Sequence, residues 1–545
     1  MLRNLFLVFV AALMLSGCGQ PQAVRAPCPA GKLCLEAGNG NDPVSLDPHK
    51  TQGTWENRII GDIIGDLIVG LTQEDEAANA IPGMATHWET SADGKVWTFH
   101  LRRALWSDGV PVTADDFVYA LRRIMDPKTG SSYSSLLYII QNGQAVNENK
   151  MPLTALGVRA IDPLTLEIRL NHAAPFLPEI AKHNSMYPVP KHVVEKWGDD
   201  WSRPEHFVGN GPFNLVSWKL GDRVTVVKNP KFYEADTVCL DQINYYPTTD
   251  ASSAQKRVKS GELDVNTDIQ SNKIALLREP GQMPDYVRVN TYLGTTYLAF
   301  NGSVPALKDR RVRQALSMAI DREFITQKLL RGGQSPANSF VPPGVANYPN
   351  PAKAFWADWP LAKRQAEARK LLAAAGFGPK TPLTITIKHR NSPDPMLFMP
   401  AIQADWKEIG VNAKLEQNEG QIAYQSYRLR DFEVADAAWI ADYNDPMTFL
   451  YLQQSATGTQ NYSDYASPAY DALLAKADNE PDAVKRSAYL SAAEQIMLDD
   501  APIVPIYFYV NKNLVSPRVT GWTDNITDWH RSRYLCFKDA AGKGK

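Results

Sequence analysis

Ile81-Pro82-Gly83-Met84-Ala85-Thr86-His87-Trp88-Glu89-Thr90-Ser91-Ala92-Asp93-Gly94-Lys95-Val96-Trp97-Thr98-Phe99-His100-Leu101-Arg102-Arg103 is the stretch on which the fold turns. Asp93-Gly94 is a tight-turn pair. After it, Trp97, Phe99 and Leu101 alternate with Val96, Thr98, His100 and Arg102, which predicts a strand with one apolar face. Trp106-Ser107-Asp108-Gly109 makes a second turn. Thr113 has the chemistry of an N-cap for a helix through Phe117, Ala120, Leu121 and Ile124, before Asp126-Pro127.

Outward from there, strands and helices keep mixing. Val224 to Lys228 reads as a strand, followed by Asn229-Pro230. Val312, Leu316 and Ile320 recur at four-residue spacing in a helix expected to run to Gly332-Gly333. Leu361 to Ala375 is a helix closed by Gly376, and Leu383, Ile385 and Ile387 mark a half-buried strand. Pro481 opens a late helix through Ile496, and Ile503 to Val510 returns as a strand. The class is α/β. The 545 residues exceed one core and suggest roughly three domains. With 44% hydrophobic and 21% charged residues the chain is globular. A net charge of −2 gives no electrostatic case for nucleic acid or an anionic membrane surface.

The N-terminus carries an address. Arg3 precedes an unbroken apolar run from Leu5 to Leu15, too short for a membrane span of ~20 residues but suited to a secretion signal. Leu15-Ser16-Gly17-Cys18 resembles a bacterial lipobox, which implies that residues 1–18 are a lipoprotein signal and that Cys18 is lipidated. A plain signal peptide cut elsewhere is the alternative. Residues 19–33 read as a tether, so the membrane is reached only through the lipid. Cys28, Cys34, Cys239 and Cys536 remain, an even set that favours disulfides and allows three pairings. A local Cys28–Cys34 loop is the simplest bond, leaving Cys239 with Cys536. Without a CxxC or clustered histidines, neither a metal nor a cofactor is expected.

The passage from Ile81 to Pro127 resembles the signature region of the peptide/nickel class (family 5) of bacterial extracellular solute-binding proteins. The likeness continues through Gly209-Asn210-Gly211-Pro212-Phe213-Asn214-Leu215, Trp218, Ser260-Gly261-Glu262-Leu263-Asp264 and Lys308 to Leu316. Within that class the chain resembles the oligopeptide receptors of peptide ABC importers. The resemblance implies a two-lobed periplasmic-binding-protein fold, type II-like, with a hinge and an extra domain. Carried onto this chain, lobe I takes residues 34–66, 191–293 and 528–545, the extra domain 67–190, and lobe II 294–527. The implied partners are a peptide and the permease subunits of an importer, the receptor working as a monomer.

Trp439-Ile440-Ala441-Asp442-Tyr443-Asn444-Asp445-Pro446 resembles the family's anchor. There the aspartate grips a peptide's α-amino group. Asp442 stands among aromatic residues, with no Lys or Arg in the ten residues after it and none nearer than Arg430 before it. A charge so placed needs a cationic partner, and a ligand ammonium would serve. The bland alternative is a turn or capping acid before Pro446. Trp439 matches a pocket aromatic, and Tyr443, Ile440 and Ala441 flank the anchor. Tyr133, Tyr297 and the segment Gln52-Gly53-Thr54 match looser ligand contacts, and Arg428 aligns with a carboxylate-binding arginine. Three departures stand out. Ile440 and Gly294 occupy the two positions of a family disulfide, Asp436 replaces a second carboxylate-binding arginine, and Ser392-Pro393-Asp394-Pro395-Met396 lacks the family's histidine. Arg430, Lys388, His389 and Arg390 are expected to be solvated surface charges.

The departures suggest that N-terminal anchoring is kept while reading of the C-terminus has changed, which fits another peptide length or a modified peptide such as a cell-wall fragment. A non-peptide solute is a further alternative within the class. An exported peptidase is disfavoured, because Gly-x-Ser-x-Gly, His-Glu-x-x-His and a phosphate-binding glycine loop are all missing.

Overall fold

The structure, a computed structural model, describes residues 28–50, 62–267 and 269–540. Cys18, Gln52, Gly53 and Thr54 lie outside the described residues. The predicted hairpin forms from Ala85–Thr90 and Val96–Leu101, with Trp97, Phe99 and Leu101 buried and Gly94 in the left-handed turn at φ +69°. Helix Ala114–Met125 starts at Thr113 in a reciprocal capping box with Asp116. At its far end Arg123 reaches Asp47, Nη1 to Oδ1 at 3.0 Å, and Trp201 Nε1 donates to the same carboxylate at 3.0 Å. That buried pair fixes the segment that leads to Gln52.

An eleven-stranded sheet forms the spine of the molecule. Its strands run in the order Asn412–Asn418, Thr384–Arg390, Val434–Ile440, Val287–Phe300, Ile503–Val515, Val265–Asn266, Cys34–Gly38, Gln242–Tyr246, Arg223–Lys228 and Phe213–Lys219. Ser335–Pro336 adds to Ile503–Val515. Parallel and antiparallel pairs are mixed, as expected of an α/β chain whose helices pack on the sheet.

Two strands carry the sheet from one half to the other. Val287–Phe300 pairs with Ile503–Val515 over Val287–Thr291, breaks, and resumes over Thr295–Ala299. At the break Leu293 N–H donates to Ile526 O and Leu293 O accepts from Ala441 N–H. The cores divide around this crossing. One runs from Leu35 through Tyr245 and takes in the Ala85–Leu101 hairpin and helix Ala114–Met125 without interruption. Two others gather residues between Leu293 and Tyr507. Val515 and Val519 pack in the first core. A boundary at residue 527 therefore lies beyond the crossing, because strand Ile503–Val515 has changed cores before it ends. Disulfides join Cys28 to Cys34 and Cys239 to Cys536, the second tying the C-terminal segment to the first core.

One expected helix is split. Arg310–Ala319 stops, and Asp321 caps a new segment, Arg322–Phe324, by accepting from Phe324 N–H at 2.9 Å. The apolar spacing continues through Ile320, but an aspartate that can bond the next turn's amide starts a new helix there. Among the described residues no helix is long and apolar enough to cross a membrane.

Candidate functional site

Strand Val434–Ile440 leads into Asp442 and defines the site. On one edge it pairs antiparallel with Gly294–Phe300 along its whole length. On the other it meets Thr384–Arg390 only at Val434 and Ala435. Beyond Ala435 that edge has no strand partner among the described residues, and from Ala438 to Ile440, where exposure returns, an added strand could pair with it.

Asp442 sits at the end of this edge. It is walled by protein yet keeps partial solvent contact, as a group lining an interior recess does. Its N–H donates to Thr448 Oγ1 at 3.2 Å. Its carboxylate has no cation and no hydrogen-bond donor among the described residues, and burial alone raises its pKa from 3.8 to about 7. The acid that bonds the start of helix Met447–Leu450 is Asp445, accepting from Met447 N–H at 2.9 Å while Arg486 clamps it at 2.7 and 2.9 Å. One acid of the segment is thus fully paired and the other is left with its charge unmatched.

Aromatic rings surround the unmatched acid. Trp439 is half-buried, edge-on to Tyr451 with centroids 6.0 Å apart, and its indole N–H has no acceptor among the described residues. Burial pushes the Tyr451 hydroxyl well above its ordinary value, and the charge of Asp442 adds to the shift. Tyr133, from the part of the chain expected to form the extra domain, also acts on Tyr451. Tyr133 packs on His183 at 5.2 Å, and His183 on Trp529 at 6.4 Å. The surroundings of Asp442 are therefore assembled from both halves of the molecule. Tyr443 belongs to the first core, stacked on Phe176 at 5.1 Å, with Arg486 5.1 Å from the same ring.

The other expected residues separate by role. Ala441 is pinned to Leu293 at the strand crossing. Ile440 lies directly opposite Gly294, and its Cδ1 would be 2.2 Å from a Cβ placed on that glycine. The two positions are thus a side chain and the space it fills. Tyr297 is buried edge-on to Phe340 at 5.1 Å, and its hydroxyl feels Tyr462, Tyr424, Arg390 and Asp436. Arg428 is exposed at the end of helix Gly420–Arg428, close enough to Tyr462 to act on it electrostatically.

The expectation that Lys388, His389 and Arg390 are surface charges is overturned, since all three are buried. Lys388 Nζ donates to Ser426 Oγ at 2.9 Å and Asp431 O at 2.6 Å. Arg390 is bidentate on Asp436, Nε to Oδ2 at 2.8 Å and Nη2 to Oδ1 at 3.1 Å, while Nη1 donates to Tyr424 at 3.0 Å. Burial works against the guanidinium's charge, but Asp436 outweighs it and holds Arg390 charged. Arg430 keeps partial exposure and pairs with Asp464 at 2.8 Å. The departure at Asp436 therefore creates a closed ion pair rather than a free negative group. Sequence reasoning missed this pair, and it missed Tyr424, Tyr451 and Tyr462. Only the aromatic run around Asp442 hinted at Tyr451.

Comparison with known proteins bears on the fold and the family. The description "Bacterial extracellular solute-binding proteins, family 5 Middle" fits residues 79–461. The chain is 38% identical over 534 residues to the periplasmic oligopeptide-binding protein OppA of Escherichia coli (strain K12), covering 96% of each. The structure of the Escherichia coli murein tripeptide binding protein MppA superposes with a TM-score of 0.84 at 36% identity, over 93% of this chain and 99% of that one. The crystal structure of Haemophilus influenzae OppA in complex with RPPGFSPFR gives a TM-score of 0.82 at 32% identity, over 93% and 99%. The mixed sheet crossed by two long strands is the multi-domain solute-binding fold, and this chain belongs to the family 5 bacterial extracellular solute-binding proteins.

Proposed function

We propose that this protein is an exported receptor that captures peptides through their free α-amino group on Asp442 and delivers them to the permease of an ABC importer. The observation that carries the reading is a deep carboxylate with its pKa raised to about 7 and no cation among the described residues. A ligand ammonium would supply that cation, in a charge-assisted bond worth roughly 1.5–3 kcal/mol. The edge from Ala438 to Ile440 would pair with the peptide main chain, and Trp439 would offer its indole N–H. Relatives named for oligopeptide and murein peptide binding support the ligand class.

The two crossing strands suit a hinge between lobe I with the extra domain and lobe II, in which ligand shifts the population toward a closed form. The signal region and Cys18 fit export to the periplasmic side of the envelope and a lipid anchor, with the permease as partner and the receptor acting as a monomer. The protein is read as a carrier without a resident cofactor, not as a catalyst.

A second reading concerns the far end of the ligand. Asp436 takes up the charge of Arg390, so that pair offers no net positive charge to a peptide C-terminus. This favours a modified peptide, such as a cell-wall fragment, or a length that places its carboxylate elsewhere. Mass spectrometry of what co-purifies, followed by calorimetry on a peptide length series, tests both readings. Peptides with free amino termini are expected, with affinity peaking at one length or modification. Failure to bind any free peptide would remove the receptor reading. Equal affinity across di- to pentapeptides would remove the second.

A further inference from the structure

The outward face of the Ala85–Thr90 and Val96–Leu101 hairpin carries a group of ligands that the peptide site does not use. Trp88, Phe99 and Leu101 pack inward, so His87, Glu89 and His100 project to the other side by strand alternation. His87 and His100 are cross-strand partners, their rings stacked 4.3 Å apart at 9°. Glu89 follows His87 on the same face, with Oε1 3.8 Å from His100 Nε2. The three ligand atoms lie within 4.8 Å of one another.

Two further details prepare them for a metal. Thr86 Oγ1 donates its single proton to His100 O at 3.0 Å and also lies 3.0 Å from His87 Nδ1. With that proton on the carbonyl, the Thr86 oxygen accepts from His87 Nδ1–H, the tautomer that leaves Nε2 with a bare lone pair. His100 Nε2 is shielded from solvent and has no hydrogen-bond partner among the described residues, although Glu89 stands nearby. We propose that His87, Glu89 and His100 form a surface site for a divalent transition metal of the zinc type, distinct from the peptide recess. Two imidazoles and a carboxylate are a zinc donor set with a coordination position left over. Tetrahedral zinc with bonds of about 2.0–2.1 Å brings its ligands about 3.3 Å apart. Reaching that spacing requires one imidazole to turn out of the stack and the exposed Glu89 to swing toward the pair.

The test is titration of the untagged, EDTA-stripped full chain with Zn2+ by calorimetry, repeated with Co2+ followed by visible absorption. One equivalent per chain is expected, with a cobalt spectrum showing nitrogen ligation. His87→Ala and His100→Ala should each weaken binding by more than about tenfold, and Thr86→Val by about tenfold through the lost orientation of His87. Peptide affinity and melting temperature serve as folding controls for these surface variants. Saturable binding that survives both histidine substitutions, or no binding below about 100 μM, would overturn the proposal.

Discussion

At the residue scale the account rests on one unmatched carboxylate, and its energetics have a definite sign. The pKa of Asp442 in the empty protein lies above its ordinary value of 3.8, at about 7. The resulting stability is whole below pH 3.8, declines as pH rises and is gone above about pH 7, where the buried charge is a net cost. Asp442→Asn removes that cost. It should stabilise the ligand-free protein at pH 8 by on the order of 1 kcal/mol after allowing for solvent in the recess, read as a higher melting temperature, with a smaller gain at pH 5. A capping or structural aspartate would lose stability instead. Binding has its own pH signature. A carboxylate ionising at about 7 must meet an amino group that loses its proton at about 7.7–8.0, so affinity should peak near pH 7–8 and fall about tenfold per unit on either side. Calorimetry across pH 5–9 checks this, and a flat profile would contradict it. The shortage of cations near Asp442 was legible because it is a local property, whereas the anchoring role came from likeness to a family. The pairing of Arg390 was not legible, because its partner is 46 residues away on a neighbouring strand and only the fold brings them together.

At the scale of elements, two strand pairs carry the departures seen in the sequence. Gly294 leaves the space that Ile440 fills, with Tyr509 and the carbonyl of Trp439 also close. Gly294→Ala should therefore cost about 1–3 kcal/mol in urea unfolding, and Ile440→Ala in the same chain should recover much of it. Additive losses in the double variant would show that the two positions do not share that space. The neighbouring pair behaves differently. Arg390→Met strands a fully buried Asp436 and should cost about 3–5 kcal/mol, whereas Arg390→Met with Asp436→Leu should return close to the parent. The individual elements were largely readable, since the period-2 pattern of Val96–Leu101 and the Thr113 cap are local signals. The helix expected to reach Gly332 failed at Asp321, where one local bond outweighs continued apolar spacing. The pairing of His87 with His100 was hidden for another reason. They are thirteen residues apart, and only the hairpin register makes them neighbours.

At the scale of the whole molecule, Asp442 stands where two halves meet. Ala441 is hydrogen-bonded to the break in strand Val287–Phe300, Phe176 of the first half lies against Tyr443, and Ser271 reaches Asp394 at 3.0 Å. An ammonium on Asp442 would thus be felt next to the strands on which the halves would turn. The discontinuous layout came from likeness to a family and not from patterning, because a single sequence does not reveal that Ile503–Val515 leaves one core and enters another. The most direct test of the central claim is calorimetric titration of the wild-type protein with one peptide in two forms, free and N-acetylated. Removing the ammonium should weaken binding by roughly 10- to 150-fold or more, the equivalent of a charge-assisted bond of 1.5–3 kcal/mol. Equal affinities for the two forms would contradict the account.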